Sequence, residues 1–168
     1  AYRAEHSVYE VGGAGLVSAI TLSRQGIKAA CITRMGRDLL ANQLKNVQKK
    51  EGLAVDYNVS IPEHHTDMNI HIVTERASDI KIKYANSFLS MSSKDLRFPH
   101  LNTRYFYFAG LPGDYRLFKY LSNWAKTHGA ETFINLTSTM GYKNRQINYV
   151  LSSAENIMMP LSFAVKLF

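Results

Sequence analysis

The 168-residue sequence predicts an α/β domain, a mainly parallel sheet flanked by helices, with a small β insertion. Two observations predict the body of the fold. Short apolar runs alternate with amphipathic stretches at both ends of the chain. Right-handed crossovers turn such alternation into a parallel sheet. A third observation predicts the insertion: over residues 54–86 the apolar period drops to two.

Composition bounds the class. Hydrophobic residues make up 46% and charged residues 20%, a globular balance sufficient for one domain with a core. No apolar run is long enough to span a bilayer, so no membrane role is expected. No signal-peptide pattern precedes the first element, and the start at Ala1 leads to the expectation of a processed, cloned or partial chain. The single cysteine, Cys31, excludes an internal disulfide and a Cys-based metal site, and it fits a reducing, cytoplasmic compartment. Net charge is +7, yet the bases are scattered and no recognition motif accompanies them, which argues against a nucleic-acid partner.

The elements follow in order. Gly12, Gly13 and Gly15 open a helix whose apolar face repeats through Leu16, Ala19, Ile20 and Ser23 and stops at Gly26. Residues 27–36, IKAACITRMG, read as a buried strand. Residues 37–52 form a helix capped by Asp38, striped by Leu40, Leu44 and Val47, and closed by Gly52. Stretches 55–61, 68–74 and 79–85 alternate, with ERAS at 75–78 as a turn, so Ile70, Ile72, Ile80 and Ile82 share one face of a small antiparallel sheet. A short turn or helix starts at residues 93–96. TRYFYFAG (103–110) is a strand buried on both faces. Residues 114–129 are the strongest helix, capped by Asp114, with Leu117, Tyr120, Leu121 and Trp124 inward. Residues 130–135 are a strand, 136–144 a polar loop, 146–153 a helix, 155–160 a strand, and a last helix starts near Ser162. The domain organisation is therefore 1–53 and 87–168 as one α/β core, interrupted by the β block at 54–86.

Several chemistries are excluded. The glycine turn is not a phosphate-binding P-loop, because no Gly-Lys-Ser/Thr follows, and it lacks the last glycine of a dinucleotide fingerprint. No Gly-x-Ser-x-Gly elbow exists. His64, His65 and His71, even with Glu63 and Asp67, match no zinc spacing and read as surface histidines. What remains is a glycine turn that brings backbone N–H groups close to a ligand, and the polar end of a strand at Asn135, Thr137 and Ser138, where open α/β sheets bind ligands.

The order of these parts resembles the ribokinase-like (PfkB) carbohydrate kinases. GGAGLVSAITLSRQG, then the strand, the Gly36-Arg37-Asp38 turn and the helix ending KKEG look like that family's first signature region. HTDMNIHIV looks like its β lid, YFYFAGLPGD like the strand entering its mid-domain helix, and TFINLTST like a later strand end. The resemblance implies a three-layer α/β/α sandwich with a β lid, present here in part. The family's first strand is expected before residue 1, and its anion hole and catalytic Asp beyond Phe168. It implies ATP-dependent, Mg-assisted phosphoryl transfer to a sugar or nucleoside hydroxymethyl group. It implies substrate contacts at Gly12, Gly13, Gly15 and Asn69, nucleotide-side contacts at Asn135 and Thr137, and a homodimer through the lid. No catalytic residue is assigned. The sequence departs from the family pattern at Val17 (Asn in the family), Ala14 (often Lys), Arg37 (an acid), and Pro160 and Phe163 (the Asn and Glu of Asn-x-x-Glu). Those departures and the +7 charge carry the alternative expectation: a non-catalytic pseudo-kinase serving as a structural subunit of a larger assembly, for example a ribonucleoprotein.

Overall fold

A computed structural model describes residues 6–73, 80–84, 93–96, 101–110, 115–137 and 142–167. Five helices and seven strands lie within them: α1 (Ala14–Arg24), β1 (Thr33–Met35), α2 (Leu39–Lys50), β2 (Asn58–Ser60), β3 (Met68–Ile72), β4 (Ile80–Tyr84), β5 (Tyr105–Phe108), α3 (Tyr115–Thr127), β6 (Glu131–Asn135), α4 (Asn144–Ser153), β7 (Asn156–Met158) and α5 (Leu161–Leu167). A 3-10 turn covers Ser93–Asp95. The expected cap Asp114, Ser138 and the ERAS turn lie outside the described residues.

The α/β class holds. Strands β5, β6 and β7 run parallel, with Phe108 opposite Ile134 and Asn135 opposite Met158. Strands β1 and β2 form a second parallel pair, extended by a bridge between Ala30 and Ala54. This corrects the reading of 55–61. Its alternation suggested the β insertion, but the segment pairs with β1 inside the α/β body. A half-buried strand at a sheet margin alternates as a lid strand does, so period alone does not separate the two. The strand read at 27–36 is also shorter, being regular only at Thr33–Met35.

The antiparallel ribbon β3–β4 has the expected face. Ile70 lies opposite Ile82 and Ile72 opposite Ile80, while Asn69 faces Lys83 and His71 faces Lys81 on the other side. All ten residues are exposed.

The main core lies between α3, α4 and the three-stranded sheet. Phe118 and Ile134 are fully buried there, and the Phe118 ring sits 5.0 Å from that of Phe108. Ile32 and Val59 of the β1–β2 region pack against the same cluster, which joins the two parallel sheets. The buried stripe of α3 is Leu117, Phe118, Leu121, Ser122 and Ala125, so Tyr120 turns outward and Trp124 is only half-buried. Strand β5 is covered chiefly on one face: Phe106 and Phe108 point into the core, whereas Tyr105 is exposed. A smaller core gathers Leu16, Ala19, Cys31 and Leu53. Helix α2 turns Ala41 and Gln48 fully inward, with Leu40, Leu44 and Val47 at the margin. The ends of α1 and α2 are tied by a two-pronged Arg24–Glu51 pair at 2.6 Å and by Ser23 Oγ donating to the Glu51 carbonyl at 2.6 Å.

Candidate functional site

The glycine turn is built as an open backbone cradle. Gly13 caps α1 with φ +94°, a conformation that L side chains rarely adopt, and its carbonyl accepts from Val17 N at 3.0 Å. A Cβ added at Gly12 or Gly13 meets nothing within 4 Å, so both positions face free space. Gly15 has a different task. A Cβ there would lie 3.5 Å from Ala109 Cβ and 3.8 Å from Cys31 Sγ, so this glycine lets α1 settle against the end of β5. Positive φ explains Gly13, open space surrounds Gly12, and close packing explains Gly15.

Topology brings the other candidates to the same edge. Ala109 is one residue past Phe108, and Asn135 one past Ile134, its register partner. The turn at Gly15 packs by the end of β5 and the half-buried Asn135 ends β6, so both belong to the carboxyl edge of neighbouring parallel strands, where ligands bind in open α/β sheets. Thr137 is exposed just beyond. Asn69 is exposed on β3 opposite Lys83, and the ribbon that carries it rises from the carboxyl end of the β1–β2 pair. Val17 stands in the first turn of α1, 48% exposed, with no group to hydrogen-bond a polar ligand.

A hydrogen-bonded knot at this edge went unread in the sequence. Asp38 Oδ1 accepts from Ala41 N at 2.8 Å, capping α2 as expected. The same carboxylate also accepts from Thr66 N at 2.7 Å and from Thr66 Oγ1 at 2.7 Å, and the Thr66 hydroxyl accepts from Gly36 N at 3.1 Å. Burial alone would push the Asp38 carboxyl up, but the hydrogen bonds from Thr66 and Ala41 outweigh it and hold the group below its ordinary value. Gly36 must be glycine: any Cβ would run into the His64 carbonyl and lie 2.9 Å from Thr66 N. The available signal was a glycine ending an apolar run two residues before an acid. Thr66 follows His64 and His65, which read as surface histidines, and nothing local marks it as a partner of Asp38. Among the described residues no three His, Cys, Asp or Glu side chains gather in one place.

Pro160 and Phe163, which the resemblance sets in place of the Asn and Glu of Asn-x-x-Glu, offer no side-chain oxygen for magnesium. Pro160 offers only its carbonyl, already accepting from Phe163 N at 2.9 Å and Ala164 N at 3.0 Å, and Phe163 brings no oxygen. An open polar notch of about 380 Å³ lies at the opposite, amino-terminal edge, lined by Ser122, Lys126, Tyr149 and Glu155 among others. Glu155 there accepts from Thr132 N at 2.8 Å and from the Thr132 hydroxyl, bonds that keep its carboxyl low.

The fold has known counterparts. The fructokinase of Xylella fastidiosa with bound ATP superposes with a TM-score of 0.80 at 16% identity, over 93% of this chain and 52% of that one. A PfkB protein from a Polaromonas species gives 0.78 at 17%, over 93% and 57%. The fructokinase of Halothermothrix orenii gives 0.73 at 22%, over 94% and 59%. The fold is thus ribokinase-like, and the chain spans about half the length of these solved kinases. No curated protein matches the sequence. Among the described residues no helix is long and apolar enough to cross a membrane. The sequence profile described as pfkB family carbohydrate kinase matches residues 1–158, and the chain belongs to that family.

Proposed function

We propose that this chain is the sugar-side part of a sugar kinase, and that the 168 residues alone bind sugar without turning over ATP. The observation that carries the reading is the glycine turn: backbone at Gly12 and Gly13 is open, Gly13 is held at φ +94°, and the turn belongs to the carboxyl edge at which β5 and β6 end. Sugar hydroxyls can approach that backbone to hydrogen-bond distance because no Cβ intervenes. The N–H groups of Ala14, Gly15 and Leu16 precede the first intrahelical bond of α1, made by Val17 N, and can donate to a hydroxyl oxygen. Asn69, on the ribbon, contacts the sugar from above, and Asn135 and Thr137 face the phosphate side.

ATP supplies the phosphoryl group in this family. The fructokinase with bound ATP supports nucleotide use by relatives of this chain. Here no residue is assigned as base, and Pro160 and Phe163 cannot organise magnesium. The role left to this chain is binding and orienting the sugar, not proton removal. Fructokinases among the structural relatives make a ketohexose the first sugar to test. The ribbon's apolar isoleucine face further supports pairing of subunits through the lid. The non-catalytic reading is favoured by the same Pro160 and Phe163 positions, and it predicts that sugar does not bind either.

Calorimetric titration of the chain with fructose and a panel of sugars decides between these. The expected result is saturable binding to at least one sugar, lost in Gly13→Val, with no ADP formed when ATP is added. Saturable ATP turnover by the chain overturns the division of labour. Absence of binding to every sugar overturns the sugar-side assignment and leaves the scaffold.

A further inference from the structure

Among the described residues the β3–β4 ribbon has no packed face. Each of its ten residues is exposed, so it takes its direction from its connections and not from a core. The described connection is the loop ending at Thr66, two residues before β3 begins. That loop is bolted to the β1–α2 turn by three hydrogen bonds and one close backbone contact. Thr66 N and Oγ1 both donate to Asp38 at 2.7 Å, Gly36 N donates to Thr66 Oγ1 at 3.1 Å, and the Gly36 backbone touches residues 64–66 so closely that no side chain fits. Thr66 is buried, which keeps water from competing for these bonds.

The second strand is referenced to the same point. Tyr84 pairs with Met68 on the ribbon's lowest rung, and its ring lies 6.4 Å from that of His65, whose Nδ1 is 3.8 Å from Asp38. Asp38 is in turn fixed, because it caps α2 through Ala41 N.

We propose that Asp38, Thr66 and Gly36 form the fixed foot of the ribbon, acting as positioning residues that set the direction in which the ribbon leaves the carboxyl edge. The Thr66 hydroxyl is the hinge pin: it donates to Asp38 and accepts from Gly36, so its loss breaks two of the three bonds and leaves the loop held by Thr66 N on Asp38 alone. The foot rests on the proposed function only for what the ribbon covers, and its test needs no ligand.

The measurement is the distance distribution between spin labels at His71→Cys on β3 and Asn148→Cys on α4, in the full chain. Cys31 stays unlabelled, since it is buried and burial pushes its thiol up to about 11. Thr66→Val should broaden the distribution roughly twofold while the α/β body still melts cooperatively. Thr66→Ser should restore the parent width, because it restores the hydroxyl. If Thr66→Val does not fold, Asp38→Asn gives the same readout. It keeps an oxygen for Ala41 N but turns one acceptor for Thr66 into a donor, and broadening is expected again. A parent-like width in the folded variant, or broadening that Thr66→Ser fails to reverse, overturns the foot. A sugar-binding result of either sign leaves it untouched.

Discussion

Val17 is where one side chain most directly limits the proposed site. It occupies the first turn of α1, half exposed, four residues after the glycine whose carbonyl its own N–H engages. A β-branched apolar group in that place contributes little to the small core, whose α1 members are Leu16 and Ala19. Replacing it with Asn exchanges exposed apolar surface for a donor and an acceptor beside the open backbone of Gly12 and Gly13. A single new hydrogen bond is worth about 0.5–1.5 kcal/mol net, so Val17→Asn should tighten sugar binding by up to about tenfold. Helix propensity falls only slightly, and the melting temperature should hardly move. Calorimetry checks the affinity and a thermal melt checks the fold. Unchanged affinity in a folded Val17→Asn would mean that the first turn of α1 does not face the sugar.

At the scale of elements, α3 is the brace of the molecule. Phe118 is fully buried between the Phe108 ring and Tyr149, 5.0 and 6.4 Å away by ring centres. Phe118→Ala should therefore cost about 3–5 kcal/mol in urea unfolding, whereas Leu39→Ala, at a residue 72% exposed, should cost less than about 1 kcal/mol. The helix itself was legible, because thirteen residues with a consistent apolar face leave little choice of element. Its inward stripe was misjudged by one position, with Tyr120 taken for Phe118's share of the core, since aromatic residues on either side of a stripe edge look alike in a helical pattern. Strand β2 failed for a related reason: three residues carry too little periodicity to say which sheet they join, and only long-range pairing with Thr33–Met35 decides it. The shared face of the four isoleucines was readable from alternation, whereas their register was set only by pairing. The Asp38–Thr66 bond was not, because a hydrogen bond spanning 28 residues leaves no local pattern. Within the glycine turn, spacing marked the place, while the separate reasons for Gly13 and Gly15 required φ and the neighbour at Ala109.

At the scale of the whole molecule, apolar surface lies uncovered toward both ends of the chain and on the ribbon. Val8, Tyr9, Leu161 and Val165 are each more than 70% exposed, and the ribbon adds its isoleucine face. Pairing through the ribbon would cover the isoleucines and leave the other four residues as they are. Two consequences separate in experiment. Sedimentation velocity should show concentration-dependent association of this chain, reduced by Ile70→Lys with Ile82→Lys, which places a charge on each strand of the apolar face without touching a core. A dye that reports exposed apolar surface should still bind the charged variant, because Val8, Tyr9, Leu161 and Val165 remain uncovered. Association that the two lysines leave unchanged would move the contact from the ribbon to those four residues. A monodisperse chain with no dye binding would show that the apolar residues find cover within one molecule, and subunit pairing through the lid would then have to be given up.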